Sequence, residues 1–175
     1  MARRVFFSFH YERDVWRANQ VRNSWVTKGD RQAAGFWDAA EREKLKRQGK
    51  AAVGRWIDRQ LEGTSMTVVL IGAETSNREW VRSEIQRSYN KGKGIIGIYI
   101  HNLKDKEGNR DTKGDTNFGK IDGHDFSELY PTYDWIEDNG YENLGDWIEM
   151  AALIARRPVL EPPLVRSARP SKCGR

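Results

Sequence analysis

Near the middle of the chain, Thr67-Val68-Val69-Leu70-Ile71 forms an unbroken β-branched and aliphatic run, closed by Gly72. A run without polar alternation suits a strand covered on both faces, and such strands belong to parallel sheets flanked by helices. A short polar turn follows, in which Ser76 stands three residues before Glu79, the spacing of a capping box at a helix start. On a wheel of about 100° per residue with Trp80 at zero, Val81, Ile85, Ser88 and Tyr89 share one arc. Glu84 falls between Trp80 and that arc, at roughly 40°. A carboxylate at the edge of a buried stripe is costly unless something pairs with it. One reading is structural, a salt bridge to a neighbouring strand or a loop cap. The other is functional: open α/β sheets bind ligands at the carboxyl ends of their strands, where this glutamate would lie.

The flanking sequence repeats the pattern. Arg4–Tyr11 reads as a buried first strand, and Val15, Ala18, Val21 and Trp25 mark a helix within 14–26. Residues 27–35 read as a polar loop, and Gly35-Phe36-Trp37-Asp38 as a brief second strand or its exit loop. The charged stretch Ala39–Gln48 is an exposed helix or a loop; Val53, Trp56, Ile57 and Leu61 define a clearer helix, stopped by Gly63. Ile95–Ile100 is another doubly covered strand. Residues 101–128 form a long polar connection, a length that tends to be functional or disordered. A short strand within 129–135 and an amphipathic helix carrying Leu144, Trp147, Ile148, Ala151 and Ile154 close the pattern. Strand–helix alternation with right-handed crossovers predicts an α/β, flavodoxin-like three-layer fold with a central parallel sheet. The first strand should lie beside the Thr67–Ile71 strand, and that strand beside Ile95–Ile100.

Composition narrows the function classes. The 175 residues suffice for one domain with a sizeable core. Charged residues make up 31%, mean hydropathy is −0.81, and no apolar run approaches the roughly 20 residues of a membrane span. Met1-Ala2-Arg3-Arg4 leads straight into a strand without a secretory signal, which points to the cytoplasm. Cys173, the only cysteine, excludes an internal disulfide framework and a cysteine zinc site. The net charge of +5 resides entirely in residues 156–175, where six basic residues face Glu161 alone. The body is therefore balanced, which speaks against nucleic acid as the main partner. Residues 1–157 form the expected domain, and 158–175 a basic, proline-rich and flexible tail, of which residues 160–175 should be dispensable for folding.

Other motifs fail on context. Gly92-Lys93-Gly94-Ile95-Ile96-Gly97 matches GxGxxG but leaves a helix and enters a strand, the reverse of a dinucleotide fingerprint. No phosphate loop of the GxxxxGK[ST] type and no nucleophile elbow is present. The acidic run from Asp105 to Asp111 has its glycine at the wrong position for a calcium loop, and the histidines lack metal-ligand spacing, so no metal site is expected.

What remains is Ser76, Trp80 and Glu84, four apart on one helix face. With the FFSF strand at Phe6–Phe9 and Asp14 after it, this SxxxWxxxE helix resembles a TIR domain. The segments MARRVFFSFHY, AAGFWDA, VLIGAETSNREWVRSEIQRS and GKGIIGIYIHNLKDKEGN are most similar to the TIR-like sensor proteins of the bacterial Thoeris antiphage system, over roughly residues 1–155. Two features depart from the common TIR pattern. Val81 stands where many TIR domains carry cysteine, and the proline-glycine loop tip is missing near Asp38.

The resemblance implies an enzyme that cleaves NAD, as substrate and with no cofactor, at the nicotinamide–ribose bond. Glu84 is then the catalytic residue, with Ser8, Phe9, His10, Trp37, Asp38, Ser76 and Trp80 as substrate-binding candidates. It also implies a cyclic ADP-ribose-type signal acting on a separate effector, a phage-derived trigger, and self-association with other TIR-like protomers. Two alternatives stand beside it: a nucleoside deoxyribosyltransferase-like enzyme with a nucleophilic glutamate, and a non-catalytic TIR interaction module.

Overall fold

A computed structural model describes residues 3–37 and 39–156. Five strands form one parallel sheet: β1 (Arg3–Ser8), β2 (Arg31–Ala34), β3 (Met66–Ile71), β4 (Gly94–Tyr99) and β5 (Thr132–Asp134), in the order β2-β1-β3-β4-β5. The first strand lies beside the third, in the register Val5↔Met66 to Ser8↔Val69, and β3 lies beside β4. The helices are α1 (Tyr11–Val26), α2 (Ala39–Gln48), α3 (Lys50–Leu61), α4 (Glu79–Asn90), the short α5 (Phe126–Leu129) and α6 (Gly140–Arg156). This is the flavodoxin-like α/β architecture with a central parallel sheet that the apolar strands predict.

Period-two alternation decides which layer each strand residue serves. Val5 and Phe7, Met66, Val68 and Leu70, and Ile96 and Ile98 face one layer, packing with Ala18, Val21 and Trp25 of α1 and with Leu144, Ile148 and Ala151 of α6. Phe6 faces the opposite layer, against Val53, Trp56 and Ile57 of α3. Val69, Ile71 and Ile95 face that same side farther along, against Val81 and Ile85 of α4. No helix among the described residues is long and apolar enough to cross a membrane.

Several elements differ from the sequence expectation. The second strand is Arg31–Ala34, inside the stretch read as a loop, and Gly35-Phe36-Trp37 is its exit. As an edge strand paired only with β1, it tolerates Arg31 and Gln32. Ala39–Gln48 is helical, with Leu45 its one buried side chain. Ser76 does not cap α4: it lies in a 3-10 turn, Thr75–Asn77, and Arg78 occupies the N-cap without a side-chain hydrogen bond. Ile154 of α6 is exposed rather than part of the core.

The long connection after β4 is packed. Phe118 and Ile121 enter the core around α4, and Arg17 from α1 donates to the carbonyls of Leu103 (2.8 Å) and Asn109 (3.0 Å). Arg17 also pairs with buried Asp14 at 3.2 Å. Burial pushes the Asp14 carboxyl up to about 6 against the pull of Arg17. The position before α2 (residue 38) and everything after Arg156 lie outside the described residues, and with them Asp38 and the tail boundary at 157.

Core position rather than side-chain size should govern stability. Phe6→Ala, at a fully buried site, is expected to lose about 3–5 kcal/mol in urea unfolding. Trp16→Ala, at a half-exposed site on α1, should stay within about 0.5 kcal/mol of wild type. Equal losses would contradict this packing scheme.

Candidate active site

At the carboxyl end of β1, Ser8 is fully buried, and its hydroxyl donates to the Glu84 carboxyl across the gap to α4. Glu84 is only 5% exposed. It reaches this place because α4 turns its Val81/Ile85/Ser88 stripe to the sheet, and Glu84 sits one turn from Ser88 on the same face. The helix is fixed there by polar contacts as well: Ser88 Oγ lies 2.7 Å from Thr67 Oγ1 on β3 and donates to the Glu84 carbonyl at 2.7 Å. Burial pushes the Glu84 carboxyl up to about 8, and the Ser8 hydrogen bond only partly offsets it. No cation pairs with Glu84 among the described residues. The described residues thus offer the salt-bridge reading of this glutamate no partner.

The carboxyl lines a cavity of about 100 Å³ shared with Phe9, His10, Trp37 and Trp80. Each arrives from a different element. Phe9 and His10 follow β1, Trp37 leaves β2, and Trp80 opens α4. His10 also caps α1 by accepting from the Arg13 amide at 3.3 Å. Burial, then Arg78, hold its pKa below the ordinary value, so the imidazole is neutral at physiological pH. The Trp37 ring packs on Trp56, with centroids 4.0 Å apart. Gly35, at φ +88°, makes the exit of β2 possible; a Cβ there would run into the carbonyl oxygen of Phe7.

Ser76 is not brought into this cavity. It is buried, its side chain hydrogen-bonds Asp115, and its carbonyl accepts from Arg82 at 2.9 Å. Its place in the SxxxWxxxE spacing thus serves the turn before α4 rather than the cleft.

Five cavity residues carry no sequence-level signal of their own: Tyr11, Glu12, Arg42, Lys46 and Arg78. Glu12 binds Arg42, Lys46 (3.1 Å) and Arg78 (3.0 Å) at once. Burial acts to raise its pKa, but the hydrogen bonds from Arg42 and Lys46 prevail and hold it at about 2. The i, i+4 spacing of Arg42 and Lys46 does place both on one face of α2. Among so many neighbouring charges, however, that spacing carried no distinction.

A parallel α/β sheet, with one buried glutamate at its carboxyl edge above a helix-borne tryptophan, defines a TIR-like domain. Residues 6–105 match the family described as "Thoeris protein ThsB, TIR-like domain". The chain is also 38% identical over 191 aligned residues to a Bacillus cereus (strain MSX-D12) protein named "Putative cyclic ADP-D-ribose synthase ThsB1", covering 85% of this chain and 100% of that relative. The chain belongs to the Thoeris ThsB family of TIR-like proteins.

The raised Glu84 pKa has a stability consequence with a definite sign. Between about 4.5 and about 8, the unfolded chain carries an ionised Glu84 while the folded protein keeps it protonated. Folding then loses stability as pH rises, by up to about 1.4 kcal/mol per pH unit, and the trend ends above about 8. Glu84→Gln lacks this dependence, so its stability relative to wild type should climb from pH 5 to pH 8 in parallel urea titrations. A difference that stays constant or shrinks would show a glutamate ionised in the folded state.

Proposed function

We propose that this protein cleaves NAD at the nicotinamide–ribose bond and closes the remaining ADP-ribosyl group into a cyclic ADP-ribose-type product. The observation that carries the reading is the Glu84 carboxyl, buried beside Ser8 at the carboxyl edge of the sheet and opening on an aromatic-walled cavity. The name of the Bacillus cereus relative supports the same chemistry.

The reaction suits a single carboxylate. Nicotinamide leaves with the bonding electron pair, and its ring nitrogen passes from cationic to neutral, so no general acid has to protonate it. Positive charge moves to the ribose as an oxocarbenium ion. A fixed carboxylate opposite that charge stabilises the transition state. In the empty site Glu84 is protonated at neutral pH, a low-cost state for a buried carboxyl. The nicotinamide cation of NAD lowers that pKa on binding, and the proton leaves as the substrate enters. The anion is thus formed by the charge it is to stabilise. Ser8 Oγ holds one carboxyl oxygen, leaving the other for the ribose hydroxyls. Phe9, His10, Trp37 and Trp80 provide flat walls for the nicotinamide or adenine ring. With water excluded, a nucleophile of the same substrate molecule attacks the oxocarbenium carbon and closes the ring.

Within this reading the product is a diffusible messenger for a separate effector in antiphage defence. Its formation answers a phage-derived trigger, and protomers associate with one another. These parts rest on the family resemblance.

Nicotinamide release followed by mass spectrometry tests the chemistry. Glu84→Gln should fold as wild type and lose about two orders of magnitude or more in turnover. In wild type, kcat/KM should rise with pH and level off above about 8, because the free enzyme must surrender the Glu84 proton. Wild-type turnover in folded Glu84→Gln, or kcat/KM falling between pH 6 and 8, would contradict the assignment.

A further inference from the structure

The cavity beside Glu84 holds only about 100 Å³, whereas sites for whole ligands of drug size or larger span roughly 300–1,000 Å³. One ring and its sugar account for such a space. The rest of a dinucleotide has to lie along the rim, and the rim is cationic. Arg42 and Lys46 from α2 and Arg78 from the N-cap of α4 line the cavity and converge on the single carboxylate of Glu12. Among the described residues, Glu43 lies 3.9 Å from Lys46, Glu74 lies 3.8 Å from His10 and 3.7 Å from Arg13, and His10 is 3.9 Å from Glu12. Three cations thus converge on one half-exposed carboxylate in the cavity that Glu84 also lines.

The arrangement is preformed rather than incidental. The Arg42 guanidinium lies 4.9 Å from the centroid of the Tyr11 ring and is largely covered, so its fork is held in place. Arg78 is positioned by the turn ahead of α4, whose first-turn amides have no side-chain cap. Guanidinium and ammonium groups gathered in this way match the charge and the several acceptor oxygens of a diphosphate.

We infer that Arg42, Lys46 and Arg78 form the diphosphate subsite of the substrate, and that Glu12 occupies it in the empty protein as an internal anion that the incoming diphosphate displaces. The inference rests on the dinucleotide reading of the Glu84 site and assigns the part of the substrate that Glu84 does not touch. It also gives Glu12 a role. The carboxylate keeps three cations together without a ligand and sets a threshold that only a multiply charged anion overcomes. A singly charged or neutral nucleoside gains nothing from the exchange.

Calorimetric titration of the full chain with ADP-ribose, and with adenosine as the probe lacking phosphate, tests this without requiring catalysis. Arg42→Ala and Arg78→Ala should each weaken ADP-ribose binding by about tenfold or more and leave adenosine unchanged. Glu12→Gln should tighten ADP-ribose binding, since the competing anion is removed. Lys46→Gln, on a helix with one buried side chain, is the variant least coupled to folding and should also weaken it. In wild type, added salt should reduce affinity for ADP-ribose and spare that for adenosine.

Lower melting temperatures with unchanged ADP-ribose affinity would overturn the inference, since the cluster would then only staple α1 to α2. Salt-independent binding would overturn it as well. NAD turnover measured in parallel separates the two proposals. Turnover without any effect of the charge variants on ADP-ribose binding sinks the subsite alone. Charge-dependent ADP-ribose binding without turnover sinks the catalytic reading alone.

Discussion

The hydrogen bond from Ser8 to Glu84 joins the last residue of β1 to the inner face of α4, and the site is built around it. Both groups are buried, and a buried carboxyl is tolerated only if it is neutral or well satisfied. Here it is neutral and has one good donor. The contact requires the parallel β1–β3 register that ends at Ser8↔Val69 and the α4 orientation fixed by Val81, Ile85 and the Ser88–Thr67 pair. A shift of one residue in β1 would turn Ser8 to the other face of the sheet and leave Glu84 without its donor.

Two carboxyl groups of one cavity are held in opposite states by their surroundings. Among the described residues no cation pairs with Glu84, and burial drives it up to about 8. Glu12 is half-exposed and held at about 2 by the cations around it. In the proposed mechanism one is a proton-bearing group that a cationic substrate ionises, and the other an anion that an anionic substrate moves aside. A dinucleotide with a cationic ring at one end and a diphosphate in the middle addresses both. The aromatic walls between them supply area and direction but no charge.

Much of this was legible in the sequence, for identifiable reasons. β3 and β4 are covered on both faces, so their apolar runs were unmistakable, and the α4 wheel placed Glu84 at the edge of the buried stripe. The edge strand β2 was hidden because one neighbour and partial exposure leave no hydrophobic pattern in Arg31–Ala34. Ser76 misled because capping-box spacing also occurs in a 3-10 turn, where the hydroxyl finds Asp115 instead. Phe9, His10, Trp37 and Trp80 were legible as strand-end and helix-start aromatics. The Glu12 cluster was not, because it unites α1, α2 and the turn before α4, a meeting that no local spacing encodes.

The central claim is that Glu84 is a protonated acid in the empty site and a carboxylate opposite a cationic substrate. Carbon-13 NMR of glutamate side-chain carboxyls, with the Glu84 resonance identified by its loss in Glu84→Gln, reads that state directly. At pH 7 the free protein should show Glu84 protonated, titrating near 8. A carbocyclic NAD analogue, which keeps the nicotinamide cation but cannot form an oxocarbenium ion, should ionise it at the same pH, whereas ADP-ribose should not. A Glu84 resonance that titrates near 4.5 in the free protein, or stays protonated with the analogue bound, would contradict the account.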